Sequence, residues 1–253
     1  MKTAFITGAS SGFGRAIALR AAALGYRCVI TGRRRELLET LAEEIKEKYN
    51  TAVHISAYDI RNHEANKQAV EALPEELKAI DLLVNNAGLA AGASPFDESS
   101  AEDFDRMIDT NVKGLLYITK LISPGMIERG SGHIINISSI AATEVYPGGH
   151  VYCGSKHAVE AITTGMRLDL VKYGIKVSSI APAMAETEFS IVRYHGDVEK
   201  AKNVYRGMTP LSAEDIADAF EFIVTRPPHV MINNIKINPA QQANAYITIR
   251  NEA

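Results

Sequence analysis

The sequence predicts an α/β fold: a doubly wound parallel sheet of seven strands with helices on both faces. Three observations carry this. Strand-like and helix-like segments alternate from end to end, and strands separated by helices imply right-handed crossovers. The second to sixth strand segments are mostly short, continuous apolar runs, as strands covered on both faces require. No linker, repeat or low-complexity tract interrupts the alternation, so residues 1–253 read as one domain.

In chain order, residues 3–7 are a short apolar run stopped by Gly8. Residues 15–24 are alanine-rich and helical, ending near Gly25, and 28–31 read as the second strand. A helix over 36–49 places Leu37, Leu38, Leu41 and Ile45 on one side and charges on the other. Residues 53–57 are the third strand, about 64–73 a helix, and 80–84 the fourth strand. A long helix is expected over about 101–129, the fifth strand over 133–137, a second long helix over about 151–173 and the sixth strand over 176–180. The stretch 183–211 has no clear period and reads as irregular or weakly helical; such connections are often lids or binding loops. A helix over 213–224 and a last strand over 230–237 complete the pattern.

Composition narrows the function. A chain of 253 residues, 46% apolar and 23% charged, is ordinary for a globular protein. A formal net charge of -3 gives no footprint for nucleic acid or an anionic membrane. No apolar run reaches the ~18 residues of a membrane span, and the apolar stretch behind Met1 is too short for a signal-peptide core. Cys28 and Cys153 are too few for a disulfide framework and read as small apolar residues in a reducing compartment. The histidines are scattered without metal-ligand spacing, so no metal is expected. The expectation is a cytoplasmic protein with a small-molecule partner.

The first candidate site is the loop Thr7-Gly8-Ala9-Ser10-Ser11-Gly12-Phe13-Gly14, between the first strand and the first helix. Glycine there lets backbone approach a pyrophosphate, and the N–H groups and dipole of the helix N-terminus favour the anion. No Gly-Lys-Ser/Thr follows, so it is not a P-loop. An NAD enzyme usually carries Asp or Glu at the end of the second strand to bind the ribose 2′-hydroxyl. Here the residues are Gly32-Arg33-Arg34-Arg35, with no acid before Glu36. Arg33 and Arg34 therefore read as a clamp for the 2′-phosphate of NADP. The plain alternative is a solvated basic helix start. Positive charge there opposes the helix dipole, however, and a nearby anion would compensate it.

The second candidate is Tyr152-Cys153-Gly154-Ser155-Lys156, which puts a phenol and an ammonium at i and i+4 on one helix face. A tyrosine titrates near ~10, and a neighbouring ammonium favours the phenolate. Alone, this pattern is common and usually a surface pair. Cys153 has no clearly placed base, so packing suits it better than nucleophilic chemistry. Asp97-Glu98 and Glu102-Asp103 suit the start of a helix better than paired-carboxylate chemistry.

The pair is not alone. Ser139 follows the fifth strand, Asn111 lies in Thr110-Asn111-Val112-Lys113-Gly114, and Asn85-Asn86-Ala87-Gly88 follows the fourth strand. With the glycine loop, these motifs resemble, over essentially the whole chain, the short-chain dehydrogenase/reductase family. The resemblance implies a Rossmann-type sheet ordered 3-2-1-4-5-6-7, with a cofactor half at about 1–140 and a catalytic and substrate part at about 139–253. It implies NADP(H) bound by Gly8, Ser10, Ser11, Gly12, Phe13, Gly14, Arg33, Arg34, Asp59, Ile60, Asn86, Tyr152, Lys156, Pro182, Ala183 and Thr187. Tyr152 would be the general acid/base, and Lys156 would lower its pKa and bind the nicotinamide ribose. Ser139 would hold the substrate oxygen, and Asn111 would support a water relay. One departure is Pro182-Ala183, where members usually have Pro-Gly; a Cβ there would alter the loop if positive φ were required.

Asn85–Gly92, Thr187–Arg193 with Gly196-Asp197, and Pro228–Asn233 resemble one branch in particular, the NADP-dependent 3-hydroxy acid (serine and allo-threonine) dehydrogenases that also reduce malonic semialdehyde. Such an acid needs a cation or several N–H donors for its carboxylate. Arg193 is the nominee; the alternatives are that it ties the lid to the body or touches a cofactor phosphate. Other readings are a 3-oxoacyl or neutral carbonyl reductase, a sugar-nucleotide epimerase (usually a longer chain), or a regulator that binds NADP without turnover. The family also implies that the two long helices pair with those of a second copy, in a homotetramer or dimer.

Overall fold

The computed structural model describes residues 1–251. It begins with β1 (Thr3–Ile6), α1 (Gly12–Ala23), β2 (Arg27–Gly32), α2 (Arg35–Tyr49), β3 (Val53–Ala57), α3 (His63–Glu71) and β4 (Ile80–Asn85). It continues with α4 (Ala101–Ile108), α5 (Leu115–Arg129), β5 (Gly132–Ile137), α6 (His150–Leu170) and β6 (Ile175–Pro182). The last elements are α7 (Phe189–Arg193), α8 (Val198–Asn203), α9 (Ala213–Val224) and β7 (Asn234–Ile237). The strands form a single sheet in the order β3-β2-β1-β4-β5-β6-β7, every pair parallel. Ile6 of β1 stands beside Ile30 of β2 on one side and Val84 of β4 on the other. The chain leaves β1 in one direction and resumes from β4 in the other, which opens a crevice at the carboxyl ends of these two strands.

Alternating side chains cover both faces of the sheet. In β1, Ala4 and Ile6 pack among Ile17, Ala21, Leu38, Ile45 and Phe220, beneath α1, α2 and α9. Phe5 faces the other way, among Leu83, Ile118, Ile122 and Met126, beneath α5. These side chains are almost completely buried, each large one contributing ~1.5–3 kcal/mol relative to exposure. The start of α9 is fixed by a capping box, in which Ser212 Oγ accepts from Asp215 N (3.3 Å) and Asp215 Oδ2 accepts from Ser212 N (2.7 Å).

Three elements differ from the sequence expectation. The long helix over 101–129 is α4 and α5 joined by a π-helical turn, Asp109–Gly114. The wider turn carries Asn111 inward, to 2% exposure. Gly114 allows a close approach to Ile60, because a Cβ there would lie 3.0 Å from Ile60 Cγ2. The last strand starts at Asn234, since Pro227 and Pro228 hold a turn in which Val230 N donates to Pro227 O at 2.9 Å. The stretch 183–211 contains two short helices, α7 and α8. Among the described residues, no helix is long and apolar enough to cross a membrane.

Candidate active site

The glycine loop is shaped by close approaches. Gly8 has φ 65° and Gly12 φ 53°. A Cβ on Gly14 would lie 2.3 Å from Gly8 O. Asn86 Nδ2 donates to Thr7 O (2.9 Å) and Gly8 O (3.0 Å), fastening the loop to the end of β4. α1 then starts at Ser11 with no side-chain cap and no acid in its first turn, which leaves its first N–H groups for an outside anion.

A pocket of about 670 Å³ runs from this loop across the carboxyl ends of the strands. Arg33 and Arg34 stand at one end, Ser139, Tyr152, Lys156 and Arg193 at the other. Every site residue expected from the sequence lines it except Gly14 and Asn111, which lie behind its wall. Arg34 Nη2 donates to Ser11 Oγ (2.8 Å), Ser10 Oγ (3.2 Å) and Glu188 Oε2 (2.7 Å). Arg33 is exposed and makes no side-chain hydrogen bond or ion pair among the described residues. Asp59 is clasped by Arg61, with Nε 3.0 Å from each carboxylate oxygen and Nη2 2.6 Å from Oδ2.

At the chemical end, β5 leads into Ser139, whose Oγ accepts from Ala141 N (3.1 Å) and donates to Pro182 O (3.3 Å). The first two turns of α6 bring in Tyr152 and Lys156, 8% and 6% exposed. Lys156 Nζ donates to Ile137 O (2.9 Å) and lies 5.9 Å from the centre of the Tyr152 ring. Burial brings Lys156 down to about 8, against a smaller opposing effect from the Glu160 carboxylate. The Tyr152 phenol is shifted by its surroundings. Burial pushes the phenol up, Tyr146 adds to this, and only the Ser139 hydrogen bond and the Arg193 charge pull notably the other way. Desolvation is the largest of these effects because the phenol is inside the protein.

Asn111 is fully engaged: Nδ2 donates to Leu89 O (2.8 Å) and Ser155 Oγ (2.9 Å), and Oδ1 accepts from Leu89 N (2.8 Å). Gly88 keeps the space between it and the lysine open, since a Cβ there would lie 3.2 Å from Asn111 Oδ1 and 3.5 Å from Lys156 Nζ. Ala183 is not a strained substitute for glycine. Among the described residues, only Asn50 and His195 of the non-glycine residues have positive φ, and Ala183 N donates to Ile237 O at 2.8 Å.

The wall opposite Tyr152 was only partly foreseen. Phe189 meets the Tyr152 ring edge-on, with centroids 5.6 Å apart. Arg193 is half-buried; its Nη1 donates to Tyr146 Oη (3.2 Å), its Nε to Gly92 O (3.3 Å), and its guanidinium carbon lies 5.4 Å from the Tyr146 ring centre. Tyr146 was missed; its only sequence signal is the Pro147-Gly148-Gly149 turn behind it. Tyr58 and Glu188, which also line the pocket, were likewise missed.

The pocket fits a phosphorylated dinucleotide. It offers a close-approach glycine cradle, free N–H groups at a helix start, two guanidinium groups at one end and a Ser-Tyr-Lys cluster at the other. A parallel sheet of this order with such a cluster is the architecture of a nicotinamide-dependent oxidoreductase. The family model for short chain dehydrogenases matches residues 2–196, and the chain belongs to that family. Among its relatives, serine 3-dehydrogenase of Rhizobium radiobacter is 42% identical over 251 residues, 99% of each chain. Sulfoacetaldehyde reductase of Chromohalobacter salexigens is 46% identical over 240 residues, 94% of each. The closed form of serine dehydrogenase complexed with NADP+ superposes with TM-score 0.91 at 40% identity, covering 99% of this chain and 100% of that one.

Proposed function

We propose that this oxidoreductase interconverts small hydroxy acids and their oxo forms with NADP(H), 3-hydroxy acids such as L-serine, L-allo-threonine or 3-hydroxypropionate being the first candidates. The cofactor supplies or accepts a hydride. Tyr152 gives or takes the proton of the substrate oxygen, Ser139 holds that oxygen by hydrogen bond, and Lys156 holds the nicotinamide ribose beside Tyr152. Asn111 serves a relay towards Lys156 through the space that Gly88 leaves open. At the far end, Arg33 and Arg34 clamp the 2′-phosphate, with Asp59, Ile60 and Asn86 around the adenosine.

One observation carries the substrate class. Arg193 lines the same pocket as Tyr152 and Ser139, is half-buried, and has no carboxylate partner among the described residues. A sheltered guanidinium bonded only to a carbonyl and a phenol suits an anionic group on the substrate. The identity to a serine 3-dehydrogenase supports a carboxylate. The 46% identity to a sulfoacetaldehyde reductase supports a second reading, a sulfonate on the same arginine. Oxidation of L-serine, L-allo-threonine, 3-hydroxypropionate and 2-hydroxyethanesulfonate, beside neutral secondary alcohols, separates these. The acids are expected to be the better substrates, and Arg193→Ala to raise their KM roughly ten-fold or more, from the loss of a charge-assisted bond of ~1.5–3 kcal/mol. Acids no better than neutral alcohols would sink the reading. Unchanged KM in Arg193→Ala would sink only the role of the arginine.

The reading includes a homo-oligomer in the cytoplasm. Leu116 on α5 (39% exposed) and Leu168 on α6 (73% exposed) are apolar residues left facing outward on the two long helices, where a second copy would pack. Light scattering at micromolar concentration should report a tetramer or dimer; a monomer contradicts the pairing. The two buried, unpaired cysteines suit a reducing compartment, which cell fractionation checks.

A further inference from the structure

The Arg34 guanidinium reaches its one carboxylate partner among the described residues across the mouth of the pocket. Through Nη2 it bonds Glu188 as well as Ser10 and Ser11. One nitrogen thus ties together the end of β2, the glycine loop and the residue that immediately precedes α7. The Arg34 guanidinium, and less strongly the Ser11 hydroxyl, hold the Glu188 carboxyl below its usual range. Both partners are largely exposed, 42% and 47% for the side chains. Such a pair is a weak clasp, worth at most about a factor of five in an equilibrium.

What the clasp holds is the substrate-side wall. Thr187 lies over the glycine loop, with its Cβ 3.4 Å from where a Gly12 Cβ would be. Phe189 packs on Tyr152, and Arg193 closes the segment against Gly92 and Tyr146. Glu188 is the point where this wall touches the proposed phosphate clamp.

We propose that Glu188 is a specificity-determining residue that competes with the cofactor's 2′-phosphate for Arg34, so that a phosphate seated on Arg34 releases Glu188 and with it the wall formed by residues 187–193. This rests on Arg34 being a phosphate ligand. A phosphate monoester carries about −1.5 to −2 charge at neutral pH and outcompetes a single carboxylate for a guanidinium. A ribose 2′-hydroxyl carries no charge and leaves the clasp closed. Glu188 therefore weakens every 2′-phosphorylated ligand slightly, and in exchange links occupancy of the adenosine end to freedom of the wall beside Tyr152.

The test uses the full chain, with adenosine 2′,5′-bisphosphate and 5′-AMP as probes that lack the nicotinamide. Calorimetry on Glu188→Gln should show adenosine 2′,5′-bisphosphate binding about three- to five-fold tighter than in the wild type, with 5′-AMP changed less than about two-fold. Hydrogen exchange at the amides of residues 187–193 should quicken in the wild type when the bisphosphate is added, and be fast in Glu188→Gln without it. An unchanged or weaker bisphosphate affinity in Glu188→Gln overturns the proposal, as does exchange in this segment that ignores the bisphosphate. Arg34→Gln separates the two layers. If it weakens the bisphosphate while Glu188→Gln is silent, the clamp stands and the competition falls. If it leaves bisphosphate affinity intact, both fall.

Discussion

Tyr152→Phe is expected to lower kcat by about 10²–10⁴-fold, the usual worth of general acid/base catalysis, while the Kd for NADPH stays within about two-fold. The substitution removes one hydroxyl and keeps the ring, so the edge-on contact with Phe189 at 5.6 Å survives. The chemical argument is local. Burial keeps the Tyr152 phenol protonated well above neutral pH, so it enters a reduction as a donor. It can release that proton to a developing oxyanion where the Ser139 hydrogen bond and the Arg193 charge compensate the phenolate left behind. Lys156 is bonded to Ile137 O, and its own proton is weakened by burial to about 8. Its place at the Ile137 carbonyl suits a positioning cation on the same helix face as Tyr152. Stopped-flow or steady-state rates on the preferred acid substrate, with NADPH binding followed by fluorescence, make the comparison. A variant that keeps most of its kcat would show that another group is the acid.

The central architecture was legible in the sequence because its signals are local. The third strand and α9 fall at their expected limits, the first because a short apolar run sits between helical segments, the second because Ser212 and Asp215 form a capping box. The Ser139, Tyr152 and Lys156 positions could be read from motif order, and the structure brings all three to one pocket. The π-turn at Asp109–Gly114 was not legible, since apolar periodicity over a long helix hides one widened turn. The short last strand was overextended because Val230 to Ile232 are apolar, although the prolines before them hold a turn. The wall of the site was the least legible part. Tyr146 meets Arg193 and Arg34 meets Glu188 only through tertiary folding, and neither partner announces the other in sequence. Spacing also reveals that Tyr152 and Lys156 share a face, but not how far they are taken out of water.

The second large effect lies at the other end of the pocket. Arg33→Ala is expected to reduce kcat/KM with NADP roughly ten- to a hundred-fold, from the loss of a charge-assisted hydrogen bond of ~1.5–3 kcal/mol, and to leave kcat/KM with NAD within about two-fold. Arg33 is the cleaner of the two arginines to remove. It is exposed, makes no side-chain bond among the described residues, and lines the pocket beyond the end of β2. Its truncation therefore costs little stability, within about 0.5 kcal/mol for a surface site of this kind. Arg34 is different, because removing it also strands the Glu188 carboxylate beside the place where a phosphate would sit. A loss in Arg34→Ala would thus mix a missing attraction with a new repulsion, and should exceed the loss in Arg33→Ala. The charge at Arg33 also stabilises the Asp59 carboxylate, though less than the neighbouring Arg61 does. A small drift in adenosine affinity common to both cofactors would report that effect, whereas loss of the 2′-phosphate contact appears only with NADP. Initial rates with both cofactors, in the wild type and in each single variant, separate these contributions. Efficiency with NADP that survives Arg33→Ala would remove this residue from the clamp, and equal efficiency with NAD in the wild type would remove the clamp altogether.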